Sequence, residues 1–444
     1  MNRIFNIALT AALAGFLFGF DTVVISGANL PIKALWNTTP LFHGFFIMSM
    51  ALWGTVLGSI FGGIPCDRFG RKNTLIGIGI LYTLSAIGSA MATNPILFSA
   101  FRFIGGIGVG ISSVAAPIYI SEITSAQNRG KLGALYQFNI VFGILIAFLS
   151  NYLLKGFQGG EDWRWMLGVE ALPAIIYTLL ALKLPQSPRW LISKHNDIEG
   201  ARTILGKLYD QQAVDTAIAG IQEEKELSAN KKTKLFSSTY KKPLFLAFVI
   251  AFFNQLSGIN FVLYYAPEIL QKAGLASSES LFSSISIGLV NLVFTYVGVR
   301  LIDRLGRRAL LKIGSWGYIV SLGMVAYAFY ASLSAGFLIS FILLFIASHA
   351  MGQGAVIWVF ISEIFPNKIR SYGQSWGAST HWVFAAIITL ITPVFLDEES
   401  GIFGQNPWPI FAFFMIVMCV QLFWVIRIMP ETKGISLEEL EKQM

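Results

Sequence analysis

The chain of 444 residues contains only two cysteines and four histidines. Cys66 and Cys419 are too few for a disulfide framework, and no His, Cys or acidic residues recur at metal-ligand spacing. Charge is also scarce: 13% of residues are charged against 55% hydrophobic, and the mean hydropathy is +0.64. A soluble core of this size could not bury so much apolar surface, so lipid has to cover part of it. No constellation of nucleophile, base and metal ligands stands out, which argues against an enzyme and against a cofactor. The net charge of +8 does not point to nucleic acid, because Lys and Arg fall almost entirely on one side of the apolar runs.

What the chain has in quantity is apolar length. A helix needs about 20 apolar residues to cross a bilayer, and about twelve stretches qualify: 4–28, 42–64, 73–93, 96–119, 132–154, 165–184, 243–271, 280–301, 309–332, 335–361, 372–396 and 407–428. Arg3 ahead of the first run resembles the start of a signal peptide, but the run's length and its embedded Asp21 favour a retained span. With the N-terminus in the cytoplasm, Arg68, Arg71, Lys72, Arg129, Lys131, Arg189, Arg304, Arg307, Arg308, Lys368 and Arg370 lie in cytoplasmic loops. The opposite face carries Lys33, Lys155, Arg164 and Lys272. An even number of spans returns the C-terminus to the cytoplasm.

The expected division is a six-helix bundle over 1–184, a cytoplasmic helical linker over 185–242, a second bundle over 243–430 and a tail over 431–444. In the linker, Ala201, Ile204, Leu205, Leu208 and Tyr209 recur at helical spacing. Its Lys231-Lys232-Thr233-Lys234 run suits docking on anionic headgroups.

The two halves carry the same marks. Asp67-Arg68-Phe69-Gly70-Arg71-Lys72 returns as Asp303-Arg304-Leu305-Gly306-Arg307-Arg308, a spacing of 303 − 67 = 236. Ser121-Glu122 returns as Ser362-Glu363 at 362 − 121 = 241, with Arg129 and Arg370 at the same offset. A period this long reads as half a molecule repeated once, a common construction among transporters.

Three charges sit inside apolar runs: Asp21 in the first, Arg102 in the fourth and Glu170 in the sixth. Unpaired they are costly, so they are expected to face one another. Two readings fit them, a protonatable pair whose titration changes helix packing and a permanently ionised pair that pins helices together. The seventh run is too polar for lipid, with Asn254-Gln255-Leu256-Ser257-Gly258-Ile259-Asn260 followed by Tyr264. Gln137, Asn291, Trp358 and Trp382 add amides and indoles from other runs. Neutral amides both donate and accept hydrogen bonds, and aromatic faces cover sugar C–H groups, so this set suits a monosaccharide. Interhelical hydrogen bonding is the alternative role for each amide.

On the motifs Gly63-x-x-x-Asp67-Arg68-x-Gly70-Arg71-Lys72, Arg102-x-x-Gly105-Gly106, Tyr119-x-Ser121-Glu122, Pro185-Gln186-Ser187-Pro188-Arg189-Trp190-Leu191, Gln255-x-x-Gly258-x-Asn260 and Pro430-Glu431-Thr432-Lys433-Gly434, the chain strongly resembles the sugar porter branch of the major facilitator superfamily, and within it the bacterial proton-coupled symporters. The resemblance implies an all-α membrane protein of twelve transmembrane helices in two six-helix bundles related by pseudo-two-fold symmetry, with a central site reached alternately from either side. It implies sugar contacts from Gln137, Gln255, Asn260, Asn291 and Trp358, with Phe18, Tyr264 and Trp382 as wall, and Asp21 as proton acceptor gated by Arg102 and Glu170. Asn254, Ile144 and His381 depart from the family pattern, so Asn254 and His381 join the candidate sugar contacts of a rewritten pocket, with a hydrogen bond to a neighbouring helix as the alternative role of His381.

Arg71, Arg129, Arg307 and Arg370, with Asp67 in the first motif, are expected to pair with Glu122 and Glu363 across the two bundles as a cytoplasmic latch. Simple positive-inside anchoring is the alternative for the basic residues. The partners implied are a hexose or pentose, a proton and the bilayer of the cell membrane, for a monomer. A facilitative uniporter is the first alternative. A sugar receptor or a polyol transporter fits less well.

Overall fold

The computed structural model describes residues 2–125, 128–229, 235–237, 240–366 and 369–434, and among them every regular element is a helix. The Lys231–Lys234 run, Lys368 and the tail beyond residue 434 lie outside the described residues, as does the side chain of Arg129.

Among the described residues, eleven helices are long and apolar enough to cross a membrane. They are Arg3–Trp36, Arg71–Met91, Pro95–Ile123, Gly130–Leu154, Gly159–Leu182, Lys241–Lys272, Ser277–Leu305, Arg307–Tyr330, Ala335–Ile364, Tyr372–Leu396 and Trp408–Arg427. The second span is a pair, Pro40–Met48 and Met50–Phe61, bent by 43°. Counting that pair as one gives twelve, each overlapping one of the expected stretches. The first span is longer than expected, because Pro31 sits inside the helix without ending it.

Spans one to six pack on one another, as do seven to twelve, giving two bundles. Small residues set their closest approaches: a Cβ on Gly106 of the fourth span would stand 1.8 Å from the Ala51 carbonyl oxygen of the second, so only glycine fits. The repeat read from sequence is also a repeat of backbone geometry. Gly70 has φ 82° and ψ 160°, and its counterpart Gly306 has φ 90° and ψ 166°. Each turns the chain sharply between two antiparallel spans.

Between the bundles, Ile198–Gly206 and Gln211–Ala229 are helices with a small core of their own, built from Ile192, Ala201, Leu205, Val214 and Ile218. This unit docks on the first bundle through Trp190 Nε1 to the Asp67 carbonyl at 2.9 Å and Tyr209 Oη to the Ile123 carbonyl at 2.8 Å.

Candidate functional site

The intramembrane charges meet inside the first bundle. Asp21 and Arg102 are 1% and 2% exposed. Arg102 Nη1 donates to Asp21 Oδ1 at 2.5 Å, and Nη2 donates to the Asp21 backbone oxygen at 3.0 Å. Gly105 gives the pair room, since a Cβ there would lie 3.4 Å from Asp21 Oδ1 and 2.3 Å from Ser85 Oγ. Glu170, also buried, interacts electrostatically with both Asp21 and Arg102. Two carboxyls are thus buried beside one guanidinium, and when both are ionised one negative charge has no counter-charge. A single proton on either of them restores neutrality. Asp21 Oδ2, Arg102 Nε and Glu170 Oε1 have no hydrogen-bond partner, so the cluster keeps free capacity.

The amides form a second cluster. Gly258, at φ 87°, breaks the seventh span between Leu256 and Ile259, and the break brings Asn260 back onto Gln255. Asn260 Nδ2 donates to Gln255 Oε1 at 2.8 Å, Gln255 Nε2 donates to Asn254 Oδ1 at 2.9 Å, and both ring nitrogens of His381 lie 3.1 Å from Gln255 Nε2. Rings continue from His381: Trp358 at 5.1 Å and Trp382 at 4.7 Å between centroids, then Phe18 of the first bundle at 5.5 Å from Trp382. Trp358, on Gln353–Ile364 beyond the break at Gly352, is 36% exposed.

Gln137 and Asn291 stand apart from this cluster, on the fifth and eighth spans. Tyr264 is fully buried on Ile259–Lys272, the half of the seventh span that packs against the first, and it interacts electrostatically with Asp21 and Arg102 of the first bundle.

At the face bearing the repeated motifs, Arg71 grips Glu122 with Nε at 2.9 Å and Nη2 at 2.9 Å. Arg307 grips Glu363 in the same way at 3.0 and 2.7 Å. Ser187 Oγ donates to Glu122 at 2.5 Å, and Thr432 Oγ1 donates to Glu363 at 2.6 Å. Both pairs lie within one bundle, which differs from the expected pairing across bundles. The reason is local: Arg71 and Arg307 also donate to the carbonyls of Cys66 and Ile302 and pair with Asp67 and Asp303, one turn back. These contacts hold each guanidinium over its own half. Arg370 keeps a buried Nε without a partner, and Glu122 and Glu363 are already taken.

At the opposite face the bundles are joined. Asn29 Nδ2 donates to Glu268 Oε2 at 2.7 Å, His43 Nε2 meets Asn29 Oδ1 at 2.7 Å, and Thr38 Oγ1 meets His43 Nδ1 at 2.8 Å. Lys33 pairs with Asp397, and Gly44 of the second span packs against the Leu390 carbonyl of the eleventh.

The profile of the family described as Sugar (and other) transporter matches residues 7–444. The chain belongs to that family. It is 32% identical to the D-xylose-proton symporter of Escherichia coli strain K12, covering 99% of this chain and 95% of the relative. It is 33% identical to the glucose transporter GlcP of Staphylococcus epidermidis, covering 99% and 96%. The solved inward-open conformation of the xylose transporter XylE from E. coli superposes with a TM-score of 0.86 at 30% identity, covering 99% of both chains.

This sugar transporter is thus captured with its bundles joined at the face opposite the motifs and with each motif-face ion pair kept to its own half. Sequence reasoning missed the joined face. Asn29, His43 and Glu268 are polar residues within or beside apolar runs, the same signal that singled out Asp21, but their partnership spans 239 residues and emerges only from the fold.

Proposed function

We propose that this transporter imports a monosaccharide, a pentose or hexose, together with one proton by alternating access, with the motif face and both termini in the cytoplasm. The division into bundles over 1–184 and 243–430 with a cytoplasmic linker is part of this reading. The names of the relatives support it, since one is a D-xylose-proton symporter and another a glucose transporter. The observation that carries it is the buried trio of Asp21, Arg102 and Glu170, which has one acid more than base and touches the sugar-side helix through Tyr264.

In this mechanism sugar binds between the amide cluster and the rings. Gln255 and Asn260 hold hydroxyls, Gln137 and Asn291 complete the ring of contacts, and Phe18, Trp358 and Trp382 cover the C–H faces. Protonation neutralises the trio, loosens Asp21 from Arg102 and lets the first span shift against Tyr264. Proton and sugar then favour the same rearrangement of the bundles, which is all that coupling requires. In the opposite conformation Glu122 and Glu363 exchange their partners for Arg370 and Arg129.

A facilitative uniporter whose pair never titrates is the second reading, favoured by the 2.5 Å contact between Arg102 and Asp21. Uptake into proteoliposomes separates the two. Asp21→Asn should abolish proton-driven accumulation and sugar-induced alkalinisation while leaving exchange largely intact. Unchanged uphill uptake by that variant would remove the coupling assignment. A panel of pentoses, hexoses and inositol identifies the cargo in the same assay.

A further inference from the structure

Hydroxyls on the third span, Arg71–Met91, divide into two kinds. Thr74 and Thr83 turn back onto their own helix and donate to the carbonyls of Gly70 and Gly79 at 2.9 and 2.8 Å. Ser85 and Ser89, both 1% exposed, make no such bond and have no partner at all. Back-bonding to the carbonyl one turn earlier is open to any helical serine. A buried hydroxyl that forgoes it is left at a cost that a second arrangement of its neighbours can remove.

Gly105 of the fourth span shows what Ser85 faces. A Cβ on Gly105 would fall 2.3 Å from Ser85 Oγ and 3.4 Å from Asp21 Oδ1. Hydroxyl and carboxylate therefore border the same gap, which stays open because residue 105 has no side chain. Neither is bonded to the other. Asp21 Oδ1 takes Arg102 Nη1 at 2.5 Å, while Asp21 Oδ2 has no partner. Besides Arg102, the titratable groups that interact with Asp21 are Glu170 of the sixth span, Tyr82 of the third and Tyr264 of the seventh.

An ionised carboxylate only accepts hydrogen bonds, and a guanidinium, which only donates, satisfies it. A protonated carboxyl has an O–H of its own to donate, and Arg102 offers it no acceptor. Ser85 Oγ supplies one at the rim of the gap. The serine's own proton can then turn back to the Leu81 carbonyl, as that of Thr83 does to Gly79.

We propose that Ser85 is the acceptor that receives the protonated Asp21 carboxyl once it leaves Arg102, and so sets how readily the transporter takes its proton. The inference rests on the proton-coupled reading above. One O–H bond of hydronium breaks, one O–H bond forms on the Asp21 carboxylate, and water leaves. Arg102 keeps its charge and its contact with the Asp21 backbone oxygen at 3.0 Å.

The test measures proton-driven uptake of labelled D-xylose and D-glucose against pH in proteoliposomes that carry the full-length transporter. Ser85→Ala removes the acceptor and breaks no hydrogen bond of this structure. Half-maximal uptake should then need about threefold to tenfold more protons, a shift to lower pH, because only the protonated form loses a partner. The maximal rate in acid should stay within about twofold of wild type. Ser85→Cys nearly keeps the volume but accepts weakly, so it should shift the profile the same way. Ser89→Ala, which removes the other partnerless hydroxyl of this helix, should keep the wild-type profile. An unmoved half-maximal pH in Ser85→Ala, whatever its maximal rate, would overturn the proposal and leave the acid to another partner such as Glu170. A wild-type profile in Ser85→Cys beside a shifted Ser85→Ala would mark a cavity effect, and an equal shift in Ser89→Ala a general one; either would sink the assignment. If wild-type uptake depends on no proton gradient and produces no alkalinisation, the coupling reading falls and the role of Ser85 falls with it.

Discussion

Single residues decide whether the repeat can form. Gly70 and Gly306 occupy a backbone region with φ above 80° that side chains rarely enter, and a Cβ at either would stand 2.7 Å from the tip of Gln186 or Glu431. Those tips are flexible, so the backbone strain dominates. Gly306→Ala should cost about 1–3 kcal/mol and lower the unfolding midpoint in detergent by a few degrees. Gly77→Ala is the matched control, because a Cβ there meets nothing within 4 Å and the site is helical. Equal midpoints for the two variants would contradict the strain argument. These glycines were legible in the sequence as repeated motif positions. So were Asp21, Arg102 and Glu170, because a charge inside an apolar run advertises itself.

At the scale of whole helices, two breaks and one joint matter. The break at Gly258 falls inside the Gln255-x-x-Gly258-x-Asn260 pattern, and it gathers Asn254, Gln255 and Asn260. The break at Gly352, between Ala335–Met351 and Gln353–Ile364, lies among Ser348, His349 and Gln353, and Gln353 Nε2 donates to Gln421 Oε1 of the twelfth span at 2.9 Å. The joint between first and seventh spans, Asn29 to Glu268, lay beyond any local pattern. Removing one partner of a buried charge-assisted hydrogen bond costs about 1.5–3 kcal/mol or more, here charged only to the state in which the outer face is shut. Asn29→Ala should therefore shift the balance toward outer opening by roughly tenfold or more. Spin labels at Leu35→Cys and Ser278→Cys, both exposed beside the joint, would report a longer distance. Cys66 would not interfere, because burial pushes its thiol up to about 11 and leaves it protonated and unreactive. Cys419 is exposed and has to be replaced first. An unchanged distance distribution would mean that Asn29 and Glu268 merely touch and do not latch.

For the molecule as a whole, the count of buried charges sets the energetics of transport. With Asp21 and Glu170 both ionised beside the single guanidinium of Arg102, the trio carries one net negative charge, and none with one proton bound. A second proton would leave a positive charge in the bilayer interior, which is costly, so the proposed symport carries one proton per cycle. One elementary charge falling through 100 mV releases about 2.3 kcal/mol, and about 1.4 kcal/mol corresponds to each factor of ten in concentration. A neutral sugar should therefore accumulate about fiftyfold at 100 mV before any pH gradient is added. In proteoliposomes with an imposed potassium diffusion potential, the accumulation ratio should rise tenfold for every ~60 mV, a slope of one proton per sugar. Twice that slope would require a second proton site outside the trio. A slope of zero with intact exchange would make the protein a uniporter, and the Asp21–Arg102 contact a fixed pin between the first and fourth spans.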